Sequence, residues 1–561
     1  MKTRNWRGPN YFGSWPGLKY SARTTHPPSD IQYGIILTNE RYELSQVRPK
    51  LTVLKSRDNI LFPSVALSTF PPRVLATLAS RRSGIGQPDV TIDMLHDDVL
   101  LEIFDFYRKL ASWNDGMWNW QELLHVCRRW RYIILASSRR LDLQIECDRS
   151  TPTWDLLDVW PPFPISLSCY PWRGEGTRGN HNIFAALKRR NRISQIDFSD
   201  ITCMEVGYFA TAMDEPFPVL TDLRLGTLKM DRNRKPAVTA ELPNSFLGGS
   251  APRLQLFVLQ GIAFPALTSF VLSASHFRHL HLLDIPHAGY IPPEAMLTFL
   301  LPLHSLRGLT IGFSSPKSRP LQMSLPPLTH ALLPSLTDFQ FIGVDEYLVD
   351  FIARIDTPML DSFRMTFFTD VIPHHSQIHK FIDRTDRLKA FIQAEVCLCS
   401  WEVQAIFKSP ANPGLDIICD TSYCPVLSIV RLFEQFWPIP SGVEQLELCE
   451  EAWDVRDLLV DQEDLWLQLL IPFVSVKSLY VSKGLVPFVA SVLENLTGES
   501  VTGVLPILDN LFLEGFGSSG LGEETIRSFV SMRQLSGHPV IVRRWERKSV
   551  PGSSSGGSPF R

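Results

Sequence analysis

The chain has few cysteines for its length, and none of them is arranged as a zinc-binding pair. Nine cysteines occur among 561 residues, an odd number without any CxxC spacing. This usage argues against a disulfide framework and is typical of proteins that fold in a reducing compartment. The sequence therefore predicts a cytoplasmic or nuclear protein.

Long apolar runs and secretory signals are also missing from the sequence. No stretch approaches the about 18 consecutive apolar residues of a membrane-spanning helix, and no apolar segment follows the basic residues at the N-terminus. Hydrophobic residues still make up 44% of the chain, which is enough to fill a core. We therefore expect packed domains and no membrane segment.

Catalytic signatures are equally scarce. We find no Walker loop, nucleophile elbow or HExxH pair. A GxGxxG from Gly515 to Gly520 follows a predicted strand, but no acidic residue ends the next strand to hold a ribose, so we interpret it as a turn. Cys397 and Cys399 lack the spacing of a zinc site and are predicted to be core thiols. The sequence thus predicts no catalytic residue, no cofactor and no metal.

The charge is distributed unevenly, although the net charge is only −3. Residues 1–88 carry 13 Lys/Arg and 4 Asp/Glu, a net of +9, which leaves −12 for the rest of the chain. Proline pairs and the lack of periodicity predict a disordered basic leader over 1–88, and Ser/Gly-rich composition predicts a disordered tail over 548–561. Basic residues without regular aromatic interleaving do not indicate a nucleic-acid partner.

Two amphipathic helix patterns lie close together within residues 89–137. In the first, Asp97 and Asp98 precede an apolar stripe at helical spacing. The second pattern ends in the sequence Val-Cys-Arg-Arg-Trp. Short helices of this kind cannot each bury a stripe alone, so they must pack on each other or on a partner.

This stretch resembles an F-box, a family that pairs an acidic, Leu/Ile-rich first helix with a closing Val-Cys-Arg-x-Trp. His96 stands where the family usually has proline. The resemblance implies docking to a Skp-family adaptor and, through it, to the cullin scaffold of a ubiquitin ligase. It implies that the residues that contact the adaptor, or orient the helices that do, are Leu95, His96, Val99, Leu100, Ile103, Phe104, Val126, Cys127 and Trp130. An ordinary helical hairpin is the alternative.

Residues 138–180 are predicted to link these helices to the next domain. Leu141, Leu143 and Ile145 alternate with polar residues, which predicts a half-buried strand. Trp154, Leu157 and Trp160 then fall at helical spacing before a proline pair. We interpret this aromatic-rich segment as a wedge that fixes the angle between two domains.

From residue 181 to 547 a unit of the form L-x-x-L-x-L recurs, often two residues after a proline. Most first positions lie 24–34 residues apart, and two gaps are 13 residues. Segments with helical patterns lie between the units. The clearest copies begin at Pro218, Pro252, Pro265, Pro334, Pro358 and Pro506, and looser copies begin at Ile193, Leu280, Leu306, Val443 and Val476.

This unit is the strand signature of leucine-rich repeats, which stack short parallel strands so that neighbours bury each other's apolar faces. Spacing is irregular, and the family's inward asparagine or cysteine after the strand is absent. We therefore predict an α/β fold in which a small helical F-box precedes an irregular leucine-rich-repeat-like solenoid. A βα domain with an ordinary mixed sheet is the structural alternative.

The residue between positions 4 and 6 of each unit should point outward on the concave strand face. Aromatic and arginine side chains are the commonest hot spots, so Arg364, Tyr480 and Phe512 are the strongest candidates. The predicted target-binding residues are Arg224, Gln340, Arg364, Glu447, Tyr480 and Phe512, and further outward positions are Val258, Val271, Asp284 and Thr310.

These features together predict a non-enzymatic substrate-recognition subunit of a cullin-type ubiquitin ligase. One end would hold the adaptor, and the other would hold an unknown protein target for ubiquitin-dependent degradation. The alternative is a repeat-based protein-binding scaffold with no ligase role.

Overall fold

The computed structural model describes residues 94–111, 123–149, 157, 161–169, 180–227, 239–274, 276–316, 330–389, 391–409, 414–421, 424–450, 462–496, 503–515 and 523–547. The predictions for 1–88 and 548–561, for Trp154 and Trp160, and for the turn after Gly515 lie outside these residues. The chain divides into two compact units, residues 1–102 and 103–561.

In the first unit, the described residues hold the start of helix α1 (Asp97–Ala111). The backbone N–H groups of Val99 and Leu100 donate to the His96 carbonyl, and Asp98 N–H donates to His96 Nδ1 at 3.4 Å. Asp97 and Asp98 lie in the first turn, where carboxylates meet the positive end of the helix dipole. His96 thus accepts the backbone donors that open this helix.

The second unit holds the other helices and all described strands. The further helices are α2 (Arg128–Ala136), α3 (Asn180–Leu187), α4 (Cys203–Ala212), α5 (Leu267–Leu272), α6 (Pro293–Leu300), α7 (Asp345–Ile352), α8 (His375–Arg384), α9 (Pro425–Gln435), α10 (Glu463–Leu470), α11 (Val486–Glu494) and α12 (Glu523–Leu535).

The described strands are numbered in chain order. They are β1 (Ile145–Cys147), β2 (Ile165–Ser168), β3 (Ile193–Ile201), β4 (Asp222–Thr227), β5 (Ala240–Glu241), β6 (Leu256–Gln260), β7 (Ile262–Ala263), β8 (His279–Ile285), β9 (Gly308–Phe313), β10 (Ala331–Leu332), β11 (Asp338–Gly343), β12 (Ile355–Asp356), β13 (Ser362–Phe367), β14 (Gln393–Leu398), β15 (Glu402–Lys408), β16 (Gly414–Asp420), β17 (Gln445–Glu450), β18 (Ser478–Val481), β19 (Asn510–Glu514) and β20 (Ile541–Trp545).

Sixteen of these strands form one sheet. Their order is β1-β2-β3-β4-β6-β8-β9-β11-β13-β16-β15-β14-β17-β18-β19-β20. Adjacent strands are parallel except at β15, which is antiparallel to both β14 and β16. The α/β class is therefore confirmed, with a large and mostly parallel sheet.

The apolar positions of the repeated unit form the core between the sheet and the helices. Phe339 and Phe341 on β11 are buried, as are the equivalent residues of the neighbouring strands. Aromatic rings on the strands pack against rings on the helices. The ring centroids of Phe339 and of Phe351 on α7 are 5.6 Å apart, and those of Phe363 and of Phe381 on α8 are 5.4 Å apart. The helices therefore cover one face of the sheet, and we call the opposite face the open face.

Two repeat assignments were wrong. The unit at Pro265 is helix α5, in which Leu267, Phe270 and Val271 lie at helical spacing and are buried, so Val271 does not point outward. Its start is only 13 residues after the previous unit, which leaves no length for a helical crossover between parallel strands. The second wrong assignment concerns the outward residue of β8, which was predicted to be Asp284. The register places His281 beside Val258 in the outward position, and Asp284 instead has a left-handed backbone with φ of 50°.

Residues 393–420 form a three-strand insertion that the repeat pattern does not predict. Strand β16 pairs with β13, and β14 pairs with β17, so the three strands lie in the sheet in reverse chain order. The missed signal is a period-two alternation, which in β15 appears as buried Val403, Ala405 and Phe407.

Two arginines fix turns by donating to several backbone carbonyls. Arg192 donates to the carbonyls of Leu157, Pro161 and Phe163 at 3.1–3.2 Å. Arg533 on α12 is fully buried and donates to three carbonyls in the turn before β19. Each guanidinium supplies several donors to the carbonyls of one bend, and two of these carbonyls, those of Pro161 and Leu505, also accept a backbone N–H.

Across the described ranges, every helix is too short or too polar to cross a bilayer.

Candidate protein-binding surface on the open face of the sheet

All six predicted target-binding residues lie in one row across the open face. The strand register continues this row through residues that the repeat pattern did not identify. Along the sheet the row reads Asp197, Arg224, Val258, His281, Thr310, Gln340, Arg364, Asp416, Ile406, Glu395, Glu447, Tyr480, Phe512 and Arg543.

Within the row, five of the predicted target-binding residues fall into two groups of neighbours. Gln340 and Arg364 are direct neighbours, and Glu447, Tyr480 and Phe512 occupy three consecutive strands. The three-strand insertion lies between Arg364 and Glu447. At about 4.8 Å per strand, these two residues are therefore roughly 19 Å apart rather than adjacent.

An aromatic cluster occupies the C-terminal part of the row. The rings of Tyr480 and Phe512 stack with centroids 4.4 Å apart and planes 6° apart. Trp545 meets Tyr480 edge-on at 5.5 Å, and the Arg543 guanidinium lies 5.9 Å from the Phe512 centroid. Trp545 and Arg543 were missed because no repeated unit was identified after the copy that begins at Pro506. All three rings are half-buried, so each keeps surface that a partner can cover.

Beside the aromatic cluster lies a depression of about 200 Å³ with two carboxylates. Glu395 and Glu447 are directly opposed on β14 and β17. Lys408 Nζ lies 2.7 Å from Glu395 Oε2. The depression is lined by Gln393, Ala394, Glu395, Lys408, Gln445, Glu447, Tyr480 and Trp545.

The pKa of the Glu447 carboxyl is raised above its ordinary value. Burial is the main cause, and the neighbouring Glu395 carboxylate adds to it, whereas Arg547 and Lys408 lower the pKa. Partial burial and a like charge both disfavour the ionised form. The site therefore favours a positively charged group near Glu447.

Arg364 is held by a charged partner on the insertion. Its Nε lies 2.6 Å from Asp416 Oδ2, and Gln404 Nε2 donates to Asp416 Oδ1 at 2.9 Å. The Arg364 side chain is half exposed, while Asp416 is buried. Arg364 thus presents a fixed guanidinium, and Asp416 sets its orientation.

His281 occupies the middle of the row and is neutral at physiological pH. Its Nδ1 lies 2.8 Å from Thr310 Oγ1. Burial lowers the pKa of His281 to about 4, and the neighbouring His279 and Arg224 contribute. The N-terminal part of the row therefore offers hydrogen bonds and the Arg224 charge.

The prediction that Cys397 is a core thiol was wrong. Cys397 forms a disulfide with Cys449, the directly opposed residue on β17, at a Cα separation of 4.8 Å. The two residues are 52 positions apart, and only the strand register brings them together. Cys399 is a buried cysteine outside this disulfide, as expected.

The two cysteines of this disulfide and Glu395 form a group that could hold a metal. One ligand atom from each of Glu395, Cys397 and Cys449 lies within 4.8 Å of the others. Disulfide sulfurs do not bind metals as thiolates do, so only the reduced pair would offer two sulfur ligands.

The residues implied by the F-box resemblance differ in exposure. Leu100, Phe104 and Trp130 are buried, and the Phe104 and Trp130 rings meet edge-on at 4.8 Å. The exposed residues are Val126 and His96, and the half-buried ones are Leu95, Val99, Ile103 and Cys127.

Helix α2 begins at an unusual cap. Cys127 Sγ accepts the Trp130 N–H at 3.4 Å, which satisfies one open backbone donor of the helix. Tyr132 on the same helix is 74% exposed and was not identified from the sequence. Val126 and Tyr132 are therefore apolar side chains available for contact with a partner.

Comparison with known proteins gives no identification. No protein-family model matches the chain, and no curated protein matches it.

Proposed function

We propose that this protein is the substrate-recognition subunit of a cullin-type ubiquitin ligase. F-box-like helices bind a Skp-family adaptor, and a leucine-rich-repeat-like solenoid binds the target. The row of charged and aromatic side chains on the open face is the observation that supports target binding most directly. The mechanism is proximity, because holding the target beside the conjugating enzyme raises its local concentration.

The sheet supports the solenoid half of the proposal. Each repeated strand buries its apolar residues against helices on one face, and the residue on the other face is polar or aromatic in most strands, with Val258 an exception. A row of this kind gives a long surface made of many strands, which suits a protein target better than a small molecule. The aromatic cluster provides the large rings that dominate interface energies.

The F-box resemblance supports the adaptor half. Burial of Phe104 and Trp130 suits residues that orient the helices, whereas exposed Val126 and Tyr132 suit residues that contact the adaptor. His96 accepts the N–H groups that open α1, so the usual proline is not needed to begin this helix.

The adaptor contact can be tested with Val126→Arg in the full chain. Val126 is 41% exposed, so the folded protein should tolerate the change. We expect at least about tenfold weaker binding to a purified Skp-family adaptor, since a charge replaces an apolar contact at an interface. Binding is measured by surface plasmon resonance.

Met204→Arg is the matched control, because Met204 is 70% exposed on α4, outside the F-box-like helices. Its adaptor binding should equal that of the unchanged protein. If the unchanged protein itself does not bind the adaptor, the ligase proposal fails and the scaffold alternative takes its place.

Target binding can be tested by replacing both Tyr480 and Phe512 with alanine. A hot-spot aromatic contributes about 2 kcal/mol, so each loss should weaken capture roughly 30-fold. Targets are recovered by affinity capture from cells with degradation blocked, and quantified by mass spectrometry. We expect proteins enriched by the unchanged chain to disappear from the double variant.

Tyr208→Ala provides the control, because this tyrosine is 55% exposed on α4 at the helical side. Its captured proteins should be unchanged. Equal capture by the double variant and the unchanged protein would show that the aromatic cluster does not bind the target.

A further inference from the structure

Arg547 links the two carboxylates of the depression to the C-terminal end of the sheet. Its guanidinium nitrogens lie 3.4 Å from Glu395 Oε1 and 3.5 Å from Glu447 Oε1. Arg547 follows the edge strand β20, which is three strands from β17 and four from β14. Those separations are roughly 14 and 19 Å, so the chain after Trp545 must return over the open face to reach the carboxylates.

The depression has the chemistry that recognises a guanidinium. Two carboxylates on adjacent strands present acceptors side by side, and Tyr480 and Trp545 supply aromatic surface next to them. Arginine donates to paired acceptors and also stacks on aromatic rings, whereas lysine presents a single compact charge. The amides of Gln393 and Gln445 add further polar partners in the same depression.

The contacts of Arg547 with Glu395 and Glu447 are weak enough for another cationic side chain to replace it. Both of its ion-pair distances exceed the about 2.7–2.9 Å of a strong charge-assisted hydrogen bond. Its side chain is 36% exposed, so solvent weakens the attraction. Lys408, by contrast, holds the other oxygen of Glu395 at 2.7 Å. A target arginine with better geometry would displace Arg547 and leave Lys408 in place.

We propose that this depression is a subsite for an arginine side chain of the target, and that Arg547 competes for its two carboxylates in the unbound protein. This inference rests on the proposed function, because it places a target residue on the same open face.

The subsite is tested with three synthetic pentapeptides, blocked at both ends, with arginine, lysine or norleucine between glycines. Binding to the full chain is measured by saturation-transfer NMR, which detects weak ligands of a large protein. The arginine peptide should bind more tightly than the lysine peptide, and the norleucine peptide should not bind. Arg547→Ala should tighten the arginine peptide about fivefold, and Glu447→Gln should weaken it about tenfold or more.

Arg544→Ala is the matched control, because this exposed arginine pairs with Glu546 and does not line the depression. Its affinity for the arginine peptide should be unchanged. The subsite is wrong if Arg547→Ala has no effect on affinity, or if norleucine or lysine binds as well as arginine.

Capture from cells separates failure of the subsite from failure of the proposed function. If Glu447→Gln captures all targets while the Tyr480 and Phe512 double variant captures none, only the subsite is overturned. If neither variant changes capture, target binding at this part of the open face is overturned as well.

Discussion

Gly414→Ala should destabilise the three-strand insertion more than a substitution of any exposed residue would. Gly414 begins β16 with φ of 89°, a conformation that costs a residue with a side chain about 1–3 kcal/mol. An added Cβ would also overlap the backbone carbonyl of Phe407, on the antiparallel neighbour β15. A backbone atom within a paired strand cannot rotate away as a side chain can. We therefore expect a loss of at least about 3 kcal/mol.

The change is measured by thermal unfolding together with amide hydrogen exchange over residues 393–420. Exchange should accelerate first in β15 and β16, because their pairing is directly disturbed. Gly207→Ala is the control: Gly207 lies within α4 with open space around it, so alanine should stabilise the helix by about 0.5–1 kcal/mol. Unchanged exchange in Gly414→Ala would contradict the pairing of β15 with β16.

Arg533→Met should cost about 2–4 kcal/mol, because methionine keeps the volume but removes every donor. The Arg533 guanidinium donates to the carbonyls of Leu505, Pro506 and Leu508 at 3.2–3.4 Å. Burial lowers the pKa of Arg533, and Asp509 raises it. Replacing a buried charge recovers some desolvation free energy, but three carbonyls then lose a charged donor.

Thermal unfolding and hydrogen exchange over 503–515 test this expectation. Arg527→Met is the matched control on the same helix, where the side chain is exposed and a change within about 0.5 kcal/mol is expected. A higher unfolding temperature for Arg533→Met would show that the desolvation cost of the charge exceeds the value of its hydrogen bonds.

The sequence predicts the repeated strands well because their apolar positions follow a fixed pattern. Proline two residues before the first position marks the turn, and the alternation then decides which side chain points outward. Arg224, Gln340 and Tyr480 could be placed in one row for this reason. The pattern fails at Pro265, where the same apolar letters fit a helix.

Strand order is the part that local sequence cannot predict. The pairing of β13 with β16 and of β14 with β17 depends on contacts between distant residues. The same non-local pairing creates the Glu395 and Glu447 pair and joins Cys397 to Cys449. Arg547 lies beyond the last strand, and its ion pairs with both carboxylates depend on the returning chain.

The residues predicted to bind an adaptor show a different limit of sequence-based prediction. The resemblance to an F-box selects residue types at given spacings, but it does not separate residues that contact a partner from those that hold the helices. Leu100, Phe104 and Trp130 are buried, while Val126 is exposed. Tyr132 belongs to no motif position, and only its exposure indicates a role.

The insertion, with its reversed strand order, separates the sheet into two sets of parallel strands that can unfold or open separately. In the described sheet, strands β1 to β13 and strands β17 to β20 are hydrogen-bonded to each other only through β16, β15 and β14. Because stacked strands couple mainly to their nearest neighbours, a change in the strands on one side can reach the strands on the other side only through β16, β15 and β14. Partial opening there would let Arg364 and the aromatic cluster fluctuate independently. If the proposed target contacts both, its binding would therefore rigidify the sheet.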